Sequence, residues 1–288
     1  MTGAPSGPGP TPDEWRRQLL ALVARGREAY GAEPVREALT EVLEELPSTD
    51  GVPDVLRPDR PVLGVDACPA GWVGVLLGPD GRPTVHVAGS IADLVALVRE
   101  RAEPAVVAID IPIGLPDSGP RRADGEARRQ LVGKGSSVFP TLTRAAYEAD
   151  TYELARAANL AATGGASSAS AQAYALGAKV LEVDAWIRSG PGTEVIEVHP
   201  ELSFARMAGS PVIARKKDPE GVLARREALR AHGLAAPAWF RGAGFGEDDL
   251  LDACAAAWSA ARHDRGAGES FPAEPEVFGD GIPAAIRV

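Results

Sequence analysis

The 288-residue chain is short of several things, and each scarcity excludes a class of protein. Two cysteines, Cys68 and Cys254, give no disulfide framework, which points to a reducing compartment and a cytoplasmic location. The purely apolar runs last only a few residues, well below the ~20 needed to cross a bilayer, so no membrane partner is expected. The opening MTGAPSGPGPTPDEW lacks the basic patch and apolar stretch of a secretory signal. Aromatic residues make up only 5% of the chain, and Trp72, Trp186, Trp239 and Trp258 stand singly inside apolar periods. That spacing suits packing rather than a row of exposed platforms for stacking bases. Positive charge is scarce as well: 30 Lys and Arg against 40 Asp and Glu leave a formal net charge of −10. Such a balance argues against a protein that coats nucleic acid nonspecifically, although a local basic groove remains open to it.

What the chain does have is 45% apolar residues, enough for a substantial core, and a length that suits one main domain plus an extension. Residues 1–11, rich in Pro, Gly, Ser and Thr, read as disordered, and Asp13 is placed to cap a helix through Trp15, Leu19, Leu20 and Val23. A second helix is predicted from Glu33 to Leu46, with Val35, Leu39, Val42 and Leu43 at amphipathic spacing, before a linker from Ser48 to Pro61. Residues 1–60 therefore read as an N-terminal helical extension. It serves either as a cap on the main domain or as a docking element through which copies form a homo-oligomer.

The main domain is predicted over residues 61–265. PVLGVD, GWVGVLL and TVHVAG are three short β-rich runs separated by turn chemistry, an antiparallel meander. Ser90 caps an apolar-periodic helix through Ile91, Leu94, Val95 and Val98, and AVVAIDI follows as an almost wholly apolar strand. A helical insertion over about 120–190 comes next, then the strand TEVIEV, a helix from Gly221 to His232 and another from Glu247 to Arg262. The predicted fold is α/β, with the order β-β-β-α-β-α-β-α and a mixed five-stranded sheet, an order shared by the RNase H-like sheet among others. Residues 266–288 read as a C-terminal tail.

Carboxylates inside apolar runs narrow the reading, because burying charge without a partner is costly and neighbouring acids repel unless a cation compensates. Asp66 ends the first strand run, Asp110 ends the fourth, and Glu197 and His199 share one face of the fifth under the strand period of two. In EDDLLDACAAAWSAAR, Asp249 and Asp252 are neighbours on a helix face whose small residues permit close packing. Capping explains Asp248 or Asp249 alone, since both lie near the helix start. Asp252 lies deeper. An oxygen-rich cluster of this kind suits Mg²⁺ or Mn²⁺.

The segments GVDACPAGWVGV, AIDIPIGLP, GKGSSVFPT, EVIEVHPELSF, ARKKDPEG and DDLLDACAAAW, in this order, resemble the DUF429 family of predicted RNase H-like nucleases. They run from about Pro61 to Arg262. The resemblance implies an RNase H-like fold and places metal-binding aspartates at Asp66, Asp110 and Asp252 or Asp249, with a last helix similar to that of RuvC-type resolvases. Ala67 stands where the first block's pattern usually has glycine. By this resemblance the chain is a metal-dependent nuclease that hydrolyses phosphodiester bonds of a nucleic acid or phosphorylated nucleotide with two metal ions. Asp66 would bridge them, and Glu197 or His199 would orient water. Arg121, Arg122, Arg128, Arg129, Lys134, Lys216 and Lys217 are the cationic candidates for gripping phosphate, with Ser136 and Ser137 as a contacting loop. A solvated helix face explains the first of these basic stretches equally well.

Two alternatives come from other classes. A noncatalytic RNase H-like nucleotide or nucleic-acid binding module would keep a structural metal, or pair the buried acids with Arg121 or Lys216, in place of chemistry. An actin-like-branch phosphotransferase would need a Gly-Thr-rich phosphate loop in the first hairpin, where this chain has ACPAGW.

Overall fold

Strands β1 (Val62–Cys68) and β2 (Gly71–Leu77) form a tight antiparallel hairpin, Asp66 opposite Val73, and β3 (Pro83–Ala88) extends the meander. The computed structural model describes residues 12–35, 54–239 and 241–288. By contacts the chain divides into two units, Met1–Val52 and Pro53–Val288.

In the first unit, α1 spans Pro12–Tyr30 and so begins one residue ahead of Asp13, the expected cap. Leu20 and Leu22 are exposed on it. The disordered start and most of the predicted helix Glu33–Leu46 lie outside the described residues.

In the second unit, Ser90 caps α2 (Ile91–Arg99) as expected, its hydroxyl accepting from the Asp93 amide, and Ile91, Leu94, Val95 and Val98 are buried. β4 (Val106–Ile109) is buried throughout and pairs in parallel with β1. The insertion then breaks into α3 (Arg122–Gln130), a 3₁₀ turn at Gly135–Ser137, α4 (Arg144–Tyr147), α5 (Tyr152–Ala162), α6 (Ala171–Ala175) and α7 (Gly177–Arg188). Thr151 and Ser170 cap α5 and α6 with their side chains, the local chemistry that restarts a helix after a loop. β5 (Glu194–Val198) follows, then α8 (Pro200–Ala208), α9 (Pro219–Ala231) and α10 (Glu247–Asp264).

The sheet has seven strands where five were expected. Residues 266–288, read as a tail, supply β6 (Ser270–Val277) and β7 (Pro283–Arg287), and β7 adds in parallel to β5. The order is β3-β2-β1-β4-β5-β7-β6 in an open mixed sheet. Pro272 and Pro275 conceal β6 from a strand reading, because proline is excluded from central strands; β6 is an edge strand, where proline is tolerated.

Both faces of the sheet are covered. One face of its central strands, carrying Val62, Val106, Ala108, Ile196 and Val198, packs against α10, α8 and parts of α3 and α9. The other, carrying Leu63, Val65, Val107 and Ile109, packs against α2, α4 and α7. α10 lies almost on the backbone of β1: a Cβ on Gly64 would fall 2.0 Å from the Ala257 amide nitrogen and 2.2 Å from the Ala253 carbonyl oxygen. Neither backbone atom can swing aside, so Gly64→Ala should push the helix off the sheet. The expected cost is at the upper end of the ~1–3 kcal/mol typical of overpacking, read as a lower midpoint in urea. An unchanged midpoint would show that the helix can slide at little cost.

Candidate functional site at the strand ends

The face that α10 covers is also the face of the aspartates. Val65 pairs with Ile109, so Asp66 and Asp110 come next on the opposite side of the pleat, the side of Gly64 and Ala108. Asp66 lies within β1, which runs on to Cys68, while Asp110 follows the last residue of β4. α10 brings Asp252 to them. These three carboxylates, with Asp249, His199, Glu201, Lys134, Arg215 and Lys216, line a cavity of about 560 Å³. Phe139 and Ile213 form part of its apolar wall, and both are exposed.

Burial and mutual repulsion govern the acids. Asp66 is held well above the usual carboxylate range by burial first, then by the charges of Asp110 and Asp252. Burial also raises Asp110, with Glu201 adding to it and His199 and Lys216 opposing. Asp252 is pushed up to about 7 by burial, against the pull of Lys216. Burial raises Asp249 too, although its Oδ2 accepts from the Gly246 amide at 2.8 Å as a helix cap. The capping role foreseen for Asp249 is therefore present. Asp66, Asp110, Asp249 and Asp252 thus all resist ionisation, through burial first and the charges of their neighbours second.

One cation already sits there. Lys216 donates from Nζ to Asp252 Oδ2 at 2.8 Å and stands 3.6 Å from Asp248. Burial works against its charge, but Asp252 and Asp66 more than offset this and hold the ammonium above its ordinary range. Its loop is anchored from beneath. Lys134 donates to the Val212 carbonyl at 2.5 Å, and Arg225 donates to the Ala214 carbonyl at 3.2 Å. Both also hold Glu201, at 3.0 and 2.7 Å. A Cβ at Gly221 would lie 1.9 Å from the Arg215 carbonyl oxygen, so only glycine lets α9 start under this loop. Lys134, read from sequence as a phosphate contact, is thus a loop anchor. Sequence reading missed Arg225 altogether, because a lone arginine on a helix carries no mark of burial.

Among the buried side-chain atoms without hydrogen-bond partners in the described residues, two belong to residues that line the cavity, Asp252 Oδ1 and His199 Nδ1. His199 caps the start of α8, and its Nε2 meets the Ser137 carbonyl at 3.3 Å. With Nε2–H donating there, Nδ1 carries a bare lone pair.

The other expected site residues fall elsewhere. Glu197 is on the opposite side of the pleat from Asp66 and Asp110, since it pairs with Ile109. It touches the cavity wall, but both of its oxygens are taken: Arg121 donates from Nη2 to Oε1 at 2.6 Å and from Nη1 to Oε2 at 3.0 Å, and the Ile113 amide donates to Oε2 at 2.8 Å. Arg121 is itself fully buried and also bonds Asp124 and the Ile113 carbonyl. Glu197 and Arg121 thus form an internal ion pair at the cavity wall, the pairing that the binding-module alternative offers for Arg121. Ser137 lines the cavity, its hydroxyl donating to the Lys134 carbonyl, while Ser136 is exposed and outside it. Lys217 is 79% exposed, stands 3.7 Å from Asp248 and does not line the cavity.

Among the described residues, no group of three or more His, Cys, Asp or Glu stands close enough to hold a metal ion as positioned. None of the described helices is long and apolar enough to cross a membrane. An open, mixed, helix-covered sheet with a carboxylate cavity at the C-terminal ends of its central parallel strands defines an α/β protein whose candidate site lies where open sheets commonly bind ligands. The chain belongs to the DUF429 family, described as a protein of unknown function, whose model matches residues 64–277. No curated protein and no solved structure matches the chain.

Proposed function

We propose that this protein is a divalent-cation-dependent phosphodiester hydrolase, a nuclease of RNase H-like type acting on a nucleic acid or a phosphorylated nucleotide. The observation that carries the reading is the convergence of Asp66, Asp110 and Asp252 on one cavity, with Asp252 Oδ1 buried and unpartnered among the described residues. The first five strands support it, since their β-β-β-α-β-α-β connectivity, with β1, β4 and β5 parallel, is the one the family resemblance implies.

The donor set fits Mg²⁺ or Mn²⁺: all oxygen, partly buried, and short of positive charge. Asp66, Asp110 and Asp252 would hold the ion. Bound there, it supplies positive charge against the phosphate oxygens and makes water more acidic. The chain's own groups do the rest. His199 Nδ1 is placed to take a proton from water, and its bond to the Ser137 carbonyl keeps the ring in the tautomer that can do so. Arg215 lines the cavity with no ion-pair partner among the described residues and is free to meet a phosphate. Phe139 and Ile213 give part of the wall apolar character.

The Lys216–Asp252 pair favours a second reading, a binding module in which ion pairing replaces chemistry. One experiment separates the two. Labelled single-stranded, duplex, hybrid and four-way substrates are incubated with Mn²⁺ or Mg²⁺ beside Asp66→Asn and Asp252→Asn. Cleavage that needs the metal and vanishes in both variants is the expected result. Uncut substrates bound equally well in EDTA would sink the nuclease and leave the module.

A further inference from the structure

A two-ion site needs carboxylate oxygens shared between the cations, and here one of them already faces a cation of the chain itself. Asp66 Oδ1 accepts from the Ala67 amide at 2.7 Å. Asp249 Oδ2 is committed to the Gly246 amide at the helix start. Asp252 Oδ2 is committed to the Lys216 ammonium. What is left is Asp66 Oδ2, the Asp110 carboxylate, and the orphaned, buried Asp252 Oδ1. Asp110 with both oxygens, Asp66 Oδ2 and Asp252 Oδ1 suit an octahedral ion completed by water, while the Lys216 ammonium holds Asp252 Oδ2, the oxygen a second ion would need.

The Lys216 side chain is 41% exposed, but the backbone that carries it is anchored. Its loop is fixed by Lys134 and Arg225, two cations that share the Glu201 carboxylate, and by the contact that Gly221 permits beneath it. The ammonium faces Asp252 and Asp248 on one side and the charge of Asp66 on the other. A point charge with three donors on a flexible stem, held by an anchored backbone, can do the electrostatic work of a cation in a cluster of this size.

We infer that Lys216 permanently takes the place of one of the two cations, so that the site accepts a single divalent ion and uses the ammonium as its second fixed charge. This rests on the metal-binding reading of the cavity and deepens it. Asp66, Asp110 and Asp252 would hold the exchangeable cation, and the Lys216 ammonium would supply the second positive charge toward a phosphate. Removing the ammonium frees Asp252 Oδ2 and leaves a net negative gap that a second ion can fill.

The test counts ions rather than turnover. Mn²⁺ bound per chain is measured by titration calorimetry and by the loss of the free-ion electron paramagnetic resonance signal, for the full-length wild type, Lys216→Arg, Lys216→Met and Lys216→Gln. One ion is expected for the wild type and for Lys216→Arg, and two for both neutral variants, with unchanged far-ultraviolet circular dichroism. A wild type that binds two ions, or folded neutral variants that both still bind one, would overturn the inference while leaving the metal reading intact. A wild type that binds none would remove both. If Lys216→Met fails to fold, Lys216→Gln, which keeps a hydrogen-bond donor toward Asp252, carries the comparison.

Discussion

Asp66→Asn is expected to melt higher than the wild type in EDTA at pH 8, and to have lost metal-dependent cleavage. Burial and the charges of Asp110 and Asp252 raise the Asp66 carboxyl well above its ordinary value in the folded chain. The unfolded chain therefore gives up this proton first, and ionisation favours unfolding. Wild-type stability falls as pH climbs from about 4, the ordinary aspartate value, through the raised one. Asparagine is neutral at every pH and escapes the loss, while its side-chain oxygen can still accept from the Ala67 amide. The advantage of the variant should be near zero at pH 4 and widen upward. For a chain of this size each ~1 kcal/mol relieved should add about 2–4 °C to the Tm. Scanning calorimetry at pH 4.5 and pH 8 reads the difference directly. A variant that melts lower at pH 8 would mean that Asp66 is a structural acceptor and that the acids are not in conflict. The expected pattern is that of a functional site, where stability is given up to keep charges together.

That conflict is also what makes the site legible in the amino-acid sequence. Asp66 and Asp110 stand out because an acid inside GVDAC or AIDIP interrupts a run that otherwise wants to be buried, and only a shared purpose explains two such interruptions. Asp252 stands out because Ala253, Ala256 and Ala257 mark a helix that approaches a sheet closely, as the contact with Gly64 shows. The meander, β4, α2 and α10 follow from period and capping alone, since each carries its signal within a dozen residues. The features that stay hidden depend on distant partners. Nothing near Glu197 announces Arg121, 76 residues away, and the alternation that groups Glu197 with His199 does not say which face the aspartates occupy. Their register against Ile109 decides that, and register is a property of the pairing between strands. β6 and β7 stay hidden for the opposite reason: their prolines imitate a tail, and only docking beside β5 makes them strands.

Breaking the buried fork should cost about 3–5 kcal/mol, because an uncompensated charge stays behind in the interior. Arg121→Met strands Glu197, which keeps only the Ile113 amide as a donor, and deprives Asp124 of its cation while Thr141 still donates to it. Glu197→Gln is gentler, since Arg121 retains Asp124 and the Ile113 carbonyl. The double variant should recover part of the loss, as expected for a directly coupled pair, and urea denaturation of all four proteins closes the cycle. The same set decides whether Glu197 takes part in chemistry. Because it projects from the side of the sheet away from Asp66 and Asp110, folded Glu197→Gln should retain metal-dependent cleavage near the wild-type rate. A Glu197→Gln protein of wild-type stability that no longer cleaves would reverse the assignment. Glu197 would then act on substrate through the cavity wall it lines, and the ion pair with Arg121 would be the device that keeps it ionised.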